Sequence, residues 1–217
     1  MTPRPVVLAS ASPRRRQLLG ALGVVFAVRP ADVDEAALAA GLEPARAAAV
    51  IAEAKARAVA GADAVVLAAD TVVAIDGRVL GKPVDAADAR GMLRALRGRR
   101  HEVLTAVAVA SAGTVRTAVR RSEVVMRAYT DVEIDAYVRS GAALDKAGAY
   151  GIQDEAFAPV ATVAGCWCNV VGLPVWTAWR LLAAAGAPPP LEPGRAAARC
   201  AACPLAAGEP EGDASAT

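Results

Sequence analysis

Short apolar runs and helix-start signals alternate along the chain and predict its elements. Residues 5–10 (PVVLAS) and 64–70 (AVVLAAD) are almost continuously apolar, which is typical of buried strands. The second run ends in a carboxylate. Residues 24–35 predict another strand that leads into an acidic loop. Residues 71–81 predict a hairpin, because a central Asp-Gly pair is a favoured two-residue turn.

Capping residues mark where the helices begin. Ser12 before Pro13 is a helix start, and Thr130 with Glu133 has the spacing of a capping box. Helices are therefore predicted from Ser12 onwards and over residues 43–60, 85–97, 130–138 and 174–186. The remaining strands are predicted over residues 101–110, 114–127 and 170–171. Strands and helices mix without a strict βαβ rhythm, which predicts an α/β fold with a mixed sheet.

The length and charge of the chain limit its class. Its 217 residues suffice for one sizeable domain, and the formal net charge of +2 is too small to attract nucleic acid or a membrane surface. No apolar run is long enough to span a bilayer, and the N-terminus lacks the features of a signal peptide. We therefore expect a cytoplasmic protein without nucleic-acid or membrane partners. A homodimer is a reasonable expectation for a small cytoplasmic enzyme.

The amino-acid composition changes after Gly186. Residues 187–217 are rich in Pro, Ala, Gly and Glu, a composition that predicts a mostly disordered tail. Residues 1–186 are expected to form the folded part, either as one unit or as two lobes around a cleft. No internal repeat is present.

Several common catalytic motifs are missing from the chain. A single histidine excludes a histidine metal cluster, and neither G-x-S-x-G nor G-x-G-x-x-G occurs. The segment GRVLGKP resembles a phosphate-binding P-loop but lacks one spacer residue. It also has Pro83 where a hydroxyl residue must bind magnesium. Serine-hydrolase, dinucleotide-binding and P-loop chemistry are therefore unsupported.

A pattern of acids and bases remains. Carboxylates occur at Asp32, Asp34, Glu35 and Asp70, and such hard oxygen ligands suit Mg²⁺ or Mn²⁺. Basic residues accompany them in sequence, namely the arginines from Arg14 onwards, Lys55 and Lys82. Only three of the 24 basic residues are lysines, so each lysine indicates a need for a compact ammonium group. Carboxylates and cations in one cleft are what hydrolysis of a phosphoanhydride requires.

Three consecutive arginines follow the helix start at Ser12. Cations are unfavourable in the first turn of a helix, where the backbone already carries partial positive charge. The arrangement is explained if an anion binds there and meets both the free N–H groups and the guanidinium groups of Arg14 and Arg15. The alternative is that the arginines simply point into solvent.

Four cysteines lie late in the chain, at Cys166, Cys168, Cys200 and Cys203. Their C-x-C and C-x-x-C spacings could form a zinc site. The alternative, which we favour, is that they are incidental thiols. The reason is that the segment around Cys200 and Cys203 has no predicted structure to hold a metal.

Seven motifs together resemble one family. They are SASPRR (10–15), DVDE (32–35), AEAKA (52–56), AADTVV (68–73), LGKP (80–83), DKAGAYGIQ (145–153) and NVVGLP (169–174). In this order they are similar to the signature of the Maf family, nucleoside triphosphate pyrophosphatases also called septum-formation inhibitor proteins. The likeness runs from Leu8 to about Leu182 and contains all three lysines.

The resemblance implies an inosine-triphosphatase-like fold, a bent mixed sheet with helices around a deep cleft. It implies hydrolysis of dTTP and UTP between the α- and β-phosphates, with a divalent cation, Mg²⁺ or Mn²⁺, as cofactor. Asp70 matches the position of the proton acceptor for the attacking water, and Glu35 and Asp70 would hold the metal. Residues implied in substrate binding and selectivity are Ser10, Ser12, Arg14, Arg15, Lys55, Thr71, Lys82 and Gln153.

Two other functions stay open at this point. One is a nucleotide-binding regulator of cell division, against which the intact set of Glu35, Asp70 and Lys82 argues. The other is a pyrophosphatase of 7-methyl-GTP or non-canonical purines, against which Thr71 and Gln153 argue. The chain also departs from the family pattern after Gln153, where an Asp-Glu pair stands in place of the usual glycine.

Overall fold

The expected α/β fold with a mixed sheet is confirmed by a computed structural model, which describes residues 4–61 and 63–208. The strands are β1 (Val6–Leu8), β2 (Phe26–Val28), β3 (Val65–Ile75), β4 (Arg78–Leu80), β5 (Arg100–Ser111), β6 (Thr114–Met126) and β7 (Val160–Ala164). Within the described residues they form one sheet in the order β2-β1-β3-β5-β6-β7, with β4 paired to β3. β1 runs parallel to β2 and β3, and the other pairs are antiparallel.

The helices surround this sheet. They are α1 (Pro13–Gly20), α2 (Glu35–Ala39), α3 (Pro44–Val59), α4 (Ala86–Leu96), α5 (Asp131–Arg139), α6 (Trp167–Val171), α7 (Val175–Ala184), α8 (Pro193–Ala196) and α9 (Ala198–Ala201). Short 3₁₀ turns cover Ala147–Ala149 and Pro204–Ala207. The predicted capping box at Thr130 and Glu133 is present. In the described residues no helix is both long and apolar enough to cross a bilayer.

Strand β3 does not end at Asp70 as the sequence pattern predicts. It continues to Ile75 and ends at the expected hairpin turn, Asp76-Gly77, where both residues have positive φ angles. β1 pairs with the first third of β3, up to Leu67, and β4 pairs only from Val73. Asp70 therefore lies between these two partners, on a stretch of β3 that only β5 flanks in the sheet. The cleft opens at this gap.

Alternation along β3 divides the core between the two faces of the sheet. Val66 and Ala68 pack with the alanines of α3, whereas Val65, Leu67 and Ala69 pack with α1 and α7. Successive strand residues point to opposite faces, so Asp70 belongs to the α3 face and Thr71 to the other. A third apolar cluster covers the far end of the sheet beneath α4 and α5.

Three further segments differ from the prediction. Val170 and Val171 belong to helix α6 and not to a strand, because the turn after Cys166 folds this segment back into contact with β5 and β6. Helix α2 and strand β7 were not predicted. α2 is one short turn capped by Asp34, and the segment of β7 lacks a regular apolar alternation.

The tail prediction is contradicted for residues 187–208. This segment contains α8 and α9, and it buries Cys200, Cys203 and Leu205 in the cluster beside α7. Trp176 donates a hydrogen bond from Nε1 to the Cys200 carbonyl oxygen at 2.9 Å. The segment is therefore part of the folded domain. The part of the predicted tail from residue 209 onwards lies outside the described residues.

Candidate active site

A cavity of about 620 Å³ opens beside β3, between α1, α3 and the loop after α5. Its volume lies in the range of small-molecule sites. All ten site residues implied by the family resemblance line it, namely Ser10, Ser12, Arg14, Arg15, Glu35, Lys55, Asp70, Thr71, Lys82 and Gln153. Asp32 and Asp34 do not line it. Asp34 instead caps α2 by accepting a hydrogen bond from the Ala37 N–H at 3.0 Å.

Lys55 joins two carboxylates of the cavity, those of Asp70 and Glu35. It lies on the buried face of α3 together with Ala48, Ala52 and Ala56, so it meets the face of β3 that carries Asp70. Lys55 Nζ is 2.7 Å from Asp70 Oδ1 and 2.7 Å from Glu35 Oε1. Glu35 reaches this point from the first turn of α2.

The two carboxylates differ in their tendency to hold a proton. Burial raises the pKa of Asp70 above its usual value, and the negative charge of Glu35 adds to this, while Lys55 and Arg15 oppose it. Burial also works to raise the pKa of Glu35, but the hydrogen bond and charge of Lys55 outweigh it and lower that pKa. Asp70 is therefore the more basic carboxylate and the better suited to accept a proton.

Arg15 holds together the opposite wall of the cavity. Its Nε donates to the Gly172 carbonyl oxygen at 2.9 Å, and Nη2 donates to Thr71 Oγ1 at 3.1 Å. Nη1 donates to Ser10 Oγ at 3.3 Å, and the backbone N–H donates to the capping hydroxyl of Ser12. The guanidinium is thus fixed beside the N-terminus of α1.

The three arginines of α1 have three different environments. Arg15 is held inside the cavity wall, and Arg14 forms an ion pair with Asp145 at 2.8 Å at its rim. Arg16 is exposed on the outer face of the helix. Two of the three cations therefore surround the helix N-terminus, which gives this end of the cavity the character of an anion site.

A chain of hydroxyl groups behind Thr71 was not predicted. Thr105 gives its only hydroxyl hydrogen to the Asn169 carbonyl oxygen at 2.8 Å, so Thr71 donates to Thr105 over the 3.0 Å between their Oγ1 atoms. Asn169 in turn donates from Nδ2 to the Val103 carbonyl oxygen and to Ser122 Oγ. The available signal was a single Thr within the apolar run of β5, but its partner on β3 depends on strand register.

The loop from Asp145 to Gln153 forms the remaining side. Lys146 pairs with Asp145 at 2.8 Å. Gly151 is tightly surrounded, because a Cβ there would lie 2.7 Å from Gln153 Nε2 and 2.9 Å from Lys146 Cε. Gln153 and Lys82 both line the cavity and are exposed to solvent.

The carboxylate pair fits a divalent cation that shares its ligands with a substrate. In the described parts of the chain, no three His, Cys, Asp or Glu side chains form a ready metal site. Mg²⁺, however, commonly uses one or two carboxylates together with substrate phosphates and water. Hydrogen bonds from described residues reach only one oxygen of Asp70 and one of Glu35, so the second oxygen of each is free to bind a cation.

Comparison with known proteins gives the family. The model of the family described as Maf-like protein matches residues 5–185, which include every cavity residue named above. The chain belongs to the Maf-like family. Relatives named dTTP/UTP pyrophosphatase include one from Anaeromyxobacter dehalogenans, 55% identical over 88% of this chain and 99% of its own. Another, from Deinococcus radiodurans, is 47% identical over 83% of this chain and 93% of its own.

The likeness to Maf-like proteins extends past the family model in at least one case. A dTTP/UTP pyrophosphatase from Thermomicrobium roseum is 48% identical over 94% of this chain and 95% of its own. Among solved structures, a HAM1 protein from Coxiella burnetii covers 56% of this chain and 73% of its own, at 19% identity and a TM-score of 0.37. The Maf-like identity therefore rests on sequence.

Proposed function

We propose that this protein is a metal-dependent nucleoside triphosphate pyrophosphatase of dTTP and UTP. The observation that carries the proposal is the pairing of a buried, relatively basic Asp70 with Lys55 in a cavity that also holds the arginine-lined N-terminus of α1. The names of the Maf-like relatives support the same substrates. A cytoplasmic location and a homodimer remain predictions.

The reaction needs an acceptor for a proton and a place for the phosphates. Asp70 accepts a proton from water as the water oxygen bonds to the α-phosphorus. The bridging bond between the α- and β-phosphates breaks, and pyrophosphate leaves from the nucleoside monophosphate. Lys55 holds the Asp70 side chain in place through its 2.7 Å contact. Asp70 and Glu35 would hold Mg²⁺ or Mn²⁺, which supplies neutralisation of phosphate charge.

Cations and helix N–H groups would bind the triphosphate. Arg15 and Lys82 both line the cavity, and the first turn of α1 supplies unpaired donors. Gln153 offers both a donor and an acceptor to a pyrimidine edge, as the resemblance implies. Thr71 lies at the end of the hydroxyl chain, where a base or ribose group can meet it.

The test is an assay of the purified protein with Mg²⁺ against dTTP, UTP, CTP, GTP, dATP and 7-methyl-GTP, measuring monophosphate and pyrophosphate. We expect dTTP and UTP to be cleaved fastest and Asp70→Asn to lose at least ~100-fold in kcat, as for a lost general base. Asp34→Asn is the matched control, because asparagine also caps α2 and position 34 does not line the cavity. It should keep full activity.

Other results would replace the proposal with a different function. Faster cleavage of 7-methyl-GTP or a purine triphosphate would assign the protein to that substrate class. Nucleotide binding without turnover, together with a division phenotype that Asp70→Asn preserves, would favour the regulator. Release of inorganic phosphate and a nucleoside diphosphate would refute cleavage at the α-phosphorus.

A further inference from the structure

The four cysteines of the chain meet in the folded protein. Cys166 and Cys168 belong to the turn that opens α6, while Cys200 and Cys203 come from the C-terminal segment. All four side chains are buried in the apolar cluster beside α7. Cys168 Sγ lies 3.5 Å from Cys200 Sγ, and Cys166 is in hydrogen-bonding contact with both Cys168 and Cys203. The sulfurs thus form one continuous group.

Two arginines join the segments that carry the cysteines. The guanidinium of Arg199, next to Cys200 in sequence, stacks over the Trp167 ring of α6 at 4.6 Å. Arg180 of α7 donates a hydrogen bond to the Leu205 carbonyl oxygen at 2.6 Å, two residues after Cys203. These contacts help to hold the C-terminal segment beside α6 and α7.

We propose that Cys166, Cys168, Cys200 and Cys203 bind one structural Zn²⁺ as a tetrathiolate. Tetrahedral ligation with Zn–S bonds of about 2.3 Å places neighbouring sulfurs about 3.8 Å apart, close to the observed 3.5 Å contact. A disulfide requires about 2.05 Å and joins sulfurs only in pairs, whereas here Cys166 contacts a cysteine of each segment. The sulfurs are not yet arranged as a ready metal site, so zinc uptake includes side-chain rotation.

The zinc would hold the C-terminal segment against α6. Binding releases one proton from each of the four thiols, and each thiolate sulfur then donates an electron pair to Zn²⁺. Cys168 directly precedes Asn169, whose carbonyl oxygen accepts from Thr105, the residue behind Thr71 of the cavity. The metal would therefore stabilise both the segment after residue 187 and the position of α6. The sequence-based argument against a zinc site was that the segment around Cys200 and Cys203 has no structure to hold a metal. The structure contradicts that argument.

Metal content decides the proposal directly. The full chain is expressed in zinc-supplemented medium, purified without chelator, and its zinc is measured by mass spectrometry before and after a mercurial thiol reagent. We expect about one zinc per chain, released by the reagent, and its loss in Cys200→Ser/Cys203→Ser. The matched control Ala201→Ser/Ala202→Ser places two serines in the same segment and should retain the metal. The single variant Cys203→Ser should bind zinc more weakly even if the double variant fails to fold.

A second measurement does not depend on variants or on activity. Replacement of zinc by Co²⁺ should give the visible d–d and thiolate charge-transfer absorption of a tetrahedral sulfur site. Four free thiols without metal after zinc-replete growth would overturn the proposal in favour of incidental cysteines. A mass lower by two or four hydrogens under non-reducing conditions would overturn it in favour of disulfides. Neither result would bear on whether dTTP is cleaved.

Discussion

Lys55→Met tests whether Lys55 is the group that allows a carboxylate to be ionised inside the cavity. Methionine keeps the length and most of the volume of lysine but removes its charge and its three donors. Asp70, only 6% exposed, loses its 2.7 Å partner. Because burial already raises the pKa of Asp70, the variant is expected to take up a proton at this position on folding.

Protonation sets a ceiling on the loss of stability. An unfolded Asp has a pKa near 3.9, so neutralising it at pH 7 costs at most about 4 kcal/mol at 1.36 kcal/mol per pH unit. At pH 5 the same ceiling is about 1.5 kcal/mol, because the unfolded chain is then closer to protonation. The sign is that of a raised folded-state pKa: the penalty grows as the pH rises above the unfolded pKa. Wild type carries part of the same penalty, so the measured difference lies below both ceilings.

Urea denaturation at pH 5, 6 and 7 measures the effect. The loss for Lys55→Met relative to wild type should shrink steadily toward pH 5. Lys55→Met/Asp70→Asn should recover much of the loss at pH 7, because no charge is left to bury. Lys82→Met is the matched control, since Lys82 is an exposed lysine of the same cavity, and it should cost under about 1 kcal/mol at every pH. A loss that stays constant with pH, or a double variant no more stable than the single one, would refute the reasoning.

Three further changes test the surroundings of the site. Burial lowers the pKa of His101 to about 4. The wild type should therefore lose up to about 3 kcal/mol of unfolding free energy as the pH falls from 6.5 to 4, because only the unfolded chain is protonated in that range. In urea titrations His101→Gln should show a weaker dependence of stability on pH. Gly172 has a φ of +122°, and a Cβ added there would lie 3.3 Å from Thr71 Oγ1. Gly172→Ala should therefore lower the free energy of unfolding by about 1–3 kcal/mol and lower kcat/KM. Gly41→Ala is the control, because position 41 also has a positive φ but faces open space, and kcat/KM should stay unchanged. Tyr137→Phe removes the hydrogen bond to Asp154, the neighbour of Gln153, and should cost about 1 kcal/mol. If Gln153 contacts the base as proposed, the KM for dTTP should also rise, and an unchanged KM would show that Asp154 has no part in substrate recognition.

Local sequence signals predicted the elements whose causes are themselves local. The Asp76-Gly77 turn requires two positive φ angles that these residue types tolerate, and the Thr130–Glu133 box satisfies helix donors within four residues. The family motifs likewise identified ten residues that the fold brings to one cavity. Their side-chain chemistry could be read from the chain because it depends on residue type alone.

The tertiary structure decided everything that depends on a partner distant in sequence. Asp70 lies inside a strand because β5 continues to pair with β3 beyond it, and its exposure to the cavity depends on where β1 stops and β4 begins. Thr105 became part of the site only through the strand register that sets it opposite Thr71. No local pattern contains that information.

The C-terminal segment shows most clearly the difference between what local sequence predicts and what long-range contacts decide. Its composition is that of a flexible tail, and residue types alone gave no reason to fold it. In the structure residues 187–208 are folded, because Cys200, Cys203 and Leu205 pack with α7 and the cysteines of the α6 segment in one apolar cluster. The sequence by itself determined which groups the protein can use. Which of those groups meet was decided by the pairing of strands and the burial of apolar surface, since both act between residues far apart in the chain.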